Sequence, residues 1–270
     1  MSTLNELVIA VKSGGEIASA VICRLHRANF HKIVILETDN PKAVRRGVSF
    51  CEAVHEQSKK VEGVEAVRAE SMAEIASLWN RKTVPVVVDP DWNMLKDVKP
   101  DVLIDAIIAK RNLGTSMQDA ALTIGLGPGF TAGKDVHFAI ETNRGHDLGR
   151  IIENGSPCPD TGIPGVIEGF SRERVLRAPA AGVINWDKAL GDIVEAGEPL
   201  GYVNGVEITA SISGLFRGQI RAGSQVKQKM KIGDIDPRGD TTFLTTVSDK
   251  GRAIGGAVLE VILRVFNCPQ

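Results

Sequence analysis

Residues Leu122–Arg150 read LTIGLGPGFTAGKDVHFAIETNRGHDLGR, and this stretch decides the predicted fold. An apolar, strand-like run ends in a loop that is rich in glycine. Glycine has no Cβ atom, so the main-chain N–H groups of such a loop can approach a ligand closely. The loop predicts a cradle for a phosphate-bearing ligand, with Gly125, Gly127 and Gly129 as binding residues. A glycine-rich surface turn between two strands is the alternative interpretation.

Titratable and cationic side chains follow this loop directly. The alternation of apolar and polar residues from 136 to 141 predicts a strand with His137 and Glu141 on one face. Glu141, Arg144 and His146 are the candidate catalytic residues, with Arg144 as the partner of an anion. A buried, hydrogen-bonded pair of histidine and glutamate is the structural alternative.

The composition is that of an ordinary globular protein, with 43% hydrophobic and 24% charged residues in a chain of 270. The net charge of −1 and the 4% aromatic content favour no nucleic-acid partner. Without a membrane-length apolar run or signal-peptide features, we expect a cytoplasmic protein with no membrane partner. The four cysteines, Cys23, Cys51, Cys158 and Cys268, form no CxxC pair, and we expect no resident metal.

The N-terminal residues have the outline of a dinucleotide-binding βαβ unit. A predicted strand is followed by Ser13, Gly14 and Gly15, then by a helical stripe and a second strand that ends at Glu37. The glycine turn and the acid predict contacts with a pyrophosphate and with a ribose hydroxyl. Ser13 stands where the usual fingerprint has glycine, so a plain strand-to-helix turn is the alternative.

The apolar run that contains Asp105 predicts a buried parallel strand, and a charged residue within such a run is expected near the carboxyl edge of the sheet. The carboxyl ends of parallel strands meet at one edge, where open α/β sheets bind ligands. Lys110 and Arg111 follow this run, and we expect them to line that edge together with the two glycine turns. The pair Arg45 and Arg46 is a candidate phosphate clamp, although such pairs also begin many solvated helices.

An internal repeat marks the second half of the chain. Residues 178–201 and 210–233 align at an offset of 32 without gaps. The repeat predicts two intertwined β halves that resemble the biotinyl/lipoyl-type barrel-sandwich hybrid. The hairpin that joins the halves contains Asn204 and Gly205 but no lysine. We therefore expect a structural or docking module without covalent biotin or lipoate.

The predicted fold class is an α/β Rossmann-like parallel sheet domain followed by a small all-β barrel-sandwich hybrid (biotinyl/lipoyl-like) domain. The predicted boundaries are a ligand-binding domain at 1–153, a linker at 154–170, the β domain at 171–250 and a C-terminal helix packing back on a domain at 251–270. Asp234, Asp236 and Asp240 offer oxygen ligands for a hard cation, but acidic turn residues are the commoner explanation.

Seven longer segments carry a resemblance to a known family. They are VRRGVSFCEAV (Val44–Val54), DAIIAKRN (Asp105–Asn112), IGLGPGFTAGKDVH (Ile124–His137), IETNRGHDLGRII (Ile140–Ile152), TGIPG (Thr161–Gly165), VLRAPAAGV (Val175–Val183) and KIGDIDPRG (Lys231–Gly239). The segments resemble the YqeB family, accessory proteins of selenium-dependent molybdenum hydroxylases that are related to XdhC-type accessory factors. One departure is Ser13, because the family usually begins its first glycine turn with Gly.

The resemblance implies a maturation role, in which the protein handles or installs a molybdopterin cofactor, or its sulfur or selenium ligand, in a hydroxylase. It implies a molybdopterin-type dinucleotide as cofactor and a molybdenum hydroxylase client as partner, and it leaves a homo-oligomer open. Two other functions stay open: an NAD(P)-dependent oxidoreductase, and a non-enzymatic scaffold that docks a hydroxylase. The sequence does not decide whether the protein is an enzyme.

Overall fold

The computed structural model describes residues 4–267, which form two compact units. The first unit contains the residues up to Pro41, Val48–Asp160 and the residues from Val247 onward. The second unit contains Lys42–Gly47 and Thr161–Thr246, so it takes a short segment from early in the chain. Cys268 and the end of the predicted C-terminal segment lie outside the described residues.

The described part of the first unit contains nine strands and five α-helices. The strands are β1 (Ile9–Lys12), β2 (Ile33–Glu37), β3 (Ser58–Val61), β4 (Val64–Ala69), β5 (Val84–Val88), β6 (Val102–Asp105), β7 (Leu122–Leu126), β8 (Phe138–Ile140) and β9 (Ile151–Ile152). The helices are α1 (Glu16–Arg27), α2 (Ala53–Glu56), α3 (Met72–Asn80), α4 (Leu95–Val98) and α5 (Asp249–Phe266).

These strands form one mixed sheet in the order β3-β4-β5-β2-β1-β6-β7-β8-β9. The seven central strands run parallel, and β3 and β9 pair antiparallel at the two edges. The register aligns Ile9 with Ile33 and Val102, so the carboxyl ends of β1, β2 and β6 lie at the same edge. The chain continues from β1 to β2 on one side, while β6 lies on the other side. The sheet therefore has a topological switch point between β1 and β6.

Alternate residues of the central strands pack on opposite faces of this sheet. Ile9 and Val11 join a core with α1 and α5, whereas Ala10 joins a second core with α3. Burial on both faces explains why these strands are near-continuous apolar runs in the sequence. Helix α5 approaches α1 closely, since a Cβ atom at Gly251 would lie 2.6 Å from the Cβ of Ala20.

The described part of the second unit contains eight strands in two antiparallel sheets. The strands are β10 (Val175–Arg177), β11 (Gly182–Trp186), β12 (Ile193–Val194), β13 (Pro199–Val203), β14 (Val206–Thr209), β15 (Gly214–Gln219), β16 (Gln225–Val226) and β17 (Lys231–Asp236). The sheet orders are β10-β17-β15-β12 and β14-β13-β11-β16. The repeat offset of 32 residues relates each strand of one sheet to the strand at the same place in the other, which confirms the internal repeat.

The predicted fold class was wrong for both halves. The first unit has a mixed sheet instead of a parallel one, because β3 and β9 return antiparallel along its edges. Within residues 4–267, the second unit shows two separate four-stranded sheets and no sign of the small barrel-sandwich hybrid domain. It also incorporates the early segment, since the Gln219 N–H donates to the Val44 carbonyl at 2.8 Å.

Candidate functional site

A buried lysine lies at the switch point of the first unit. Lys12 is the last residue of β1, and only 2% of it is exposed. The register places it beside Asp105, the last residue of β6, which is buried to the same degree. Burial of a charge is costly unless the charge is paired and hydrogen-bonded. The surroundings of Lys12 therefore decide its protonation state.

A threonine hydroxyl connects the two ionisable groups. The Nζ of Lys12 donates to the Oγ1 of Thr115 at 2.8 Å, and this hydroxyl donates to the Oδ2 of Asp105 at 2.7 Å. A carboxylate oxygen of Asp119 lies 4.0 Å from the amine, and the centroid of the Trp92 ring lies 5.2 Å from it. We call these five residues, Lys12, Asp105, Thr115, Asp119 and Trp92, the lysine cluster.

Burial favours the neutral forms of the lysine and of its neighbouring acid. It lowers the pKa of the Lys12 amine from its ordinary value, against the opposing charges of Asp105 and Asp119. It raises the pKa of the Asp105 carboxyl, against hydrogen bonds from Thr115 and from the N–H of Ile107. A neutral amine is a nucleophile, and a carboxyl that holds a proton is a general acid. The lysine cluster therefore offers groups for nucleophilic and acid–base chemistry.

The loops after β1, β5 and β6 hold several residues in the left-handed backbone region. The φ angles are +79° at Ser13, +60° at Trp92, +57° at Ile108 and +63° at Lys110. A β-branched residue such as Ile108 is an outlier in this region. Strained backbone tends to collect at functional sites in proteins. These residues with strained backbone lie at the same edge of the sheet as the lysine cluster.

Three other carboxylates at the strand ends hold the loops that follow the strands. Glu37 accepts the N–H of Gly14 at 2.8 Å. Asp89 accepts two N–H groups from the loop after β5, and Glu141 accepts two from the segment after β8. These hydrogen bonds fix the shape of the edge. None of them joins an amine to an acid as the Thr115 hydroxyl does.

The predicted cofactor-binding turn at 13–15 makes contacts within itself and with Glu37. The Gly14 N–H donates to Glu37, and a Cβ atom at Gly14 would lie 2.7 Å from the backbone nitrogen of Cys51. The Gly15 N–H donates to the Ser13 hydroxyl at 3.2 Å. The structure thus brings these four predicted residues together, with hydrogen bonds to one another. Their binding of a cofactor stays a prediction.

The glycine loop after β7 packs against neighbouring segments of the chain. A Cβ atom at Gly125 would overlap the Phe130 ring, and one at Gly129 would lie 2.5 Å from the Arg111 backbone. The Gly127 N–H donates to a carbonyl of β8 at 2.9 Å. Close packing therefore accounts for these glycines. A role for them and for Arg111 in holding a cofactor stays a prediction.

The three predicted catalytic residues have separate surroundings. Glu141 is buried, and hydrogen bonds from loop N–H groups, including that of Cys158, outweigh the effect of burial and lower its pKa. Arg144 donates to Asp249 through hydrogen bonds of 2.7 and 2.9 Å. His146 is exposed. The catalytic role of these three residues stays a prediction.

Glu141 also lines a small cavity of about 280 Å³ together with Arg150, Ser156 and Cys158. The Cys158 thiol is exposed, and its hydrogen bond to Glu141 raises its pKa. Reactive cysteines have a lowered pKa, because the thiolate is the nucleophile. The cavity therefore holds this thiol in its less reactive form.

The predicted basic residues are divided between the two units. Lys110 pairs with Asp160 at 2.6 Å in the first unit. Arg45 and Arg46 belong to the second unit, where Arg45 donates to a backbone carbonyl and Arg46 donates to Gln219. The candidate phosphate clamp and the glycine turns are therefore parts of different units.

Two of the three acids that were considered for a cation in the second unit bind arginines, and the third, Asp240, accepts from the N–H and the hydroxyl of Thr242. Asp234 accepts from Arg174 at 2.7 Å and from Arg217 at 2.9 Å. Asp236 is fully buried and accepts from Arg217 at 2.7 Å. Against the effect of burial, the charges of Lys231 and the two arginines lower the pKa of Asp234. In the part of the chain that the structure describes, no group of three or more His, Cys, Asp or Glu is placed to hold a metal ion.

Lys12 and Thr115 are functional candidates that the sequence pattern did not reveal. A lysine that ends a buried apolar run is a signal, because parallel strand ends are where such sheets bind ligands. Thr115 has no comparable signal, since it lies in an irregular loop 103 residues from its partner Lys12.

Sequence comparison identifies a relative across nearly the whole chain. No family model matches. The chain is 46% identical over 260 residues to uncharacterized protein YqeB of Escherichia coli strain K12, and the match covers 96% of this chain and 48% of that protein. The chain thus spans about half the length of the curated relative.

Structure comparison finds only distant similarity. The succinylglutamatedesuccinylase/aspartoacylase of Rhodobacter sphaeroides is 13% identical, with a TM-score of 0.27 over 87% of this chain and 86% of that one. An aspartoacylase family protein of Mesorhizobium loti is 13% identical, with a TM-score of 0.26 over 85% of each chain. Scores this low carry no argument for an acylase activity here.

These findings correct the functional prediction. The two solved structures named above are a desuccinylase/aspartoacylase and an aspartoacylase family protein, and the predicted accessory role for a molybdenum hydroxylase has no counterpart in either. Nothing supports molybdenum, selenium or molybdopterin handling, and the relative's name assigns it no activity. The predicted cofactors and partners stay predictions.

None of the helices within residues 4–267 is long and apolar enough to cross a membrane. Identity of 46% across 96% of the chain is far above the level of the structural matches. On that identity, the chain belongs to the YqeB family.

Proposed function

We propose that the first unit acts on a small molecule that carries a carbonyl group, and that the Lys12 amine reacts with this carbonyl. The observation that carries the proposal is the buried amine with a lowered pKa, linked through the Thr115 hydroxyl to Asp105 at the switch point. Open α/β sheets bind their ligands at this position. Lysines whose pKa is lowered by burial are suited to form Schiff bases.

The proposed step uses the relay that Lys12, Thr115 and Asp105 form together. The neutral Lys12 amine attacks the carbonyl carbon, a C–N bond forms, and the C=O π bond becomes a C–O single bond. Thr115 and Asp105 carry the two amine protons to the oxygen, which leaves as water. The product is an imine between Lys12 and the ligand, so no oxidant or reductant is required.

Trp92 controls access to the amine in this proposal. Its ring is partly exposed and covers the amine, whereas Lys12 itself is 2% exposed. The backbone of Trp92 is strained at a φ of +60°. A ligand reaches Lys12 by displacing this ring.

Reductive trapping of the imine tests the proposal. The full chain is incubated with glyoxylate and cyanoborohydride near neutral pH and digested, and mass spectrometry measures the secondary amine at each lysine. We expect Lys12 to be labelled faster than the exposed Lys96, because a lowered pKa raises the fraction of the amine that is neutral.

Three controls separate the proposal from general lysine reactivity. Lys12→Met should abolish the adduct at this position. Thr115→Val should slow labelling of Lys12 and leave labelling of Lys96 unchanged. In the urea-unfolded chain, Lys12 and Lys96 should react equally, since the preference depends on the fold. Equal labelling in the folded chain, or no labelling of Lys12, contradicts the proposal.

A further inference from the structure

The second unit contains a cavity that the proposed function does not use. Its volume is about 540 Å³, which lies in the range of small-ligand pockets. Three cationic side chains, Arg46, Lys188 and Arg221, line it together with one carboxylate, that of Asp187. The lining therefore carries a net positive charge.

Hydrogen bonds hold the cationic wall in place. The Nε of Arg46 donates to the Gln219 carbonyl at 2.8 Å, and its Nη2 donates to the Gln219 Oε1 at 3.0 Å. Gln219 is buried, and its Nε2 donates to the Lys188 carbonyl at 2.7 Å. A guanidinium held in this way loses little further side-chain entropy when it binds an anion. The Lys188 ammonium also pairs with Glu198, and this partly exposed pair competes only weakly.

An aromatic side chain forms another part of the wall. The indole N–H of Trp186 donates to the Ile220 carbonyl at 2.9 Å. Its ring packs edge-on against the buried Phe216, with the centroids 5.2 Å apart. Both contacts keep the Trp186 ring in one orientation. The cavity therefore places an apolar surface next to its cations.

We propose that this cavity binds a small organic phosphate, recognised by Arg46, Lys188 and Arg221. Arginine presents a planar fork of donors that matches phosphate oxygens, and the neighbouring cations offset the charge of a dianion. Trp186 supplies surface for the organic group. The cavity therefore selects an organic phosphate over inorganic phosphate.

Nuclear magnetic resonance of the full chain, labelled at the tryptophan indole nitrogens, detects ligand binding in this cavity. The chain has three tryptophans, and Trp79 and Trp92 belong to the first unit, so Trp186 gives the indole signal of the second unit. Phenyl phosphate and inorganic phosphate are titrated at constant ionic strength. We expect the Trp186 signal to shift and saturate while the Trp79 signal stays in place. Phenyl phosphate should bind more tightly than inorganic phosphate.

Matched substitutions separate a site from general charge attraction. Lys188→Gln and Arg221→Gln should each weaken phenyl phosphate binding about tenfold through the loss of a charge-assisted hydrogen bond. Lys227→Gln removes an exposed lysine of the same unit outside the cavity and should leave the affinity unchanged. Arg46→Lys keeps the charge but removes the guanidinium hydrogen bonds to Gln219 that hold the cation in place, and it should also weaken binding.

Two results would overturn this proposal. One is a Trp186 signal that does not shift. The other is a loss of affinity in Lys227→Gln as large as that in Lys188→Gln, which would mean that phosphate follows the net charge alone. Lys12 takes no part in this cavity, so the trapping experiment and this titration succeed or fail independently.

Discussion

Replacement of Asp105 by asparagine measures the charge coupling in the lysine cluster. Asp105 and Lys12 are each 2% exposed and are joined by the Thr115 hydroxyl through hydrogen bonds of 2.7 and 2.8 Å. Removal of one partner from a buried ion pair costs about 3–5 kcal/mol, and the cost is lower here because burial favours the neutral forms of both groups. In this variant the Lys12 amine keeps its hydrogen bond to Thr115, and a carboxylate oxygen of Asp119 lies 4.0 Å from it. We therefore expect Asp105→Asn to lower the free energy of unfolding of the first unit by about 2–3 kcal/mol.

The same substitution should cost much less when the amine is absent. In a Lys12→Met background, Asp105 has no buried cation to balance, and we expect Asp105→Asn to cost less than about 1 kcal/mol. The difference between the two backgrounds is a coupling energy of about 1–2 kcal/mol, which is typical of residues that interact. Asp97→Asn changes an exposed carboxylate of α4 and should alter the stability by less than about 0.5 kcal/mol.

Hydrogen exchange of peptides that cover β1 and β6 measures the stability of the first unit by itself. The unsubstituted chain, the two single variants and the double variant are compared near neutral pH. A coupling energy near zero would mean that Lys12 and Asp105 do not interact. The relay on which the proposed chemistry depends would then be refuted.

The pH dependence of stability tests whether burial lowers the pKa of Lys12 in the folded chain. Burial holds the pKa of Lys12 below its ordinary value of 10.5 in the folded chain. Between the folded pKa and 10.5, the unfolded chain binds more protons, so stability rises with pH. The contribution of Lys12 is fully present above 10.5 and is lost as the pH falls through the folded pKa. The unsubstituted chain should therefore gain stability relative to Lys12→Met as the pH rises from neutral.

Two further substitutions address the glycine loop and the exposed thiol. Gly129→Ala should destabilise the first unit by about 1–3 kcal/mol more than Gly155→Ala. Both positions have positive φ, but only at Gly129 would the Cβ atom meet backbone, since it would lie 2.5 Å from the backbone of Arg111. Equal shifts in thermal unfolding would contradict this account. Glu141→Gln removes the carboxylate that raises the pKa of Cys158, and alkylation of Cys158 by iodoacetamide at mildly alkaline pH should become severalfold faster. An unchanged rate would mean that the carboxylate does not control the thiol.

Local sequence patterns predicted several elements of the fold. The apolar runs and the helical stripe around Gly15 predicted β1, α1 and β2, which the structure confirms with small shifts of their ends. Asn204 and Gly205 predicted a tight hairpin, and both have positive φ between the paired strands β13 and β14. The edge strands β3 and β9 were not predicted as antiparallel partners, because short, partly exposed strands lack a continuous apolar run.

The candidate site was harder to predict because its contacts join distant parts of the chain. Asp105 was expected at the carboxyl edge of the sheet, and the register places it there beside Lys12. The contact between Lys12 and Thr115 spans 103 residues, and no local pattern indicates it. Arg46 shows that a local sequence pattern can also suggest the wrong contact. A local arginine pair suggested a clamp near the glycine turns, whereas Arg46 binds Gln219, 173 residues away in the second unit.

Features that cost stability are concentrated at one edge of the first unit. A buried amine, a buried carboxyl and non-glycine residues with positive φ each oppose folding. A methionine in place of Lys12 would fill a similar volume without the cost of desolvation, so packing alone gives no reason for a lysine. If Lys12→Met stabilises the first unit and abolishes trapping, the lysine serves chemistry at the expense of stability. If instead it strongly destabilises the unit, the hydrogen bonds through Thr115 are a structural tether between β1 and β6, and the proposed reaction loses its physical basis.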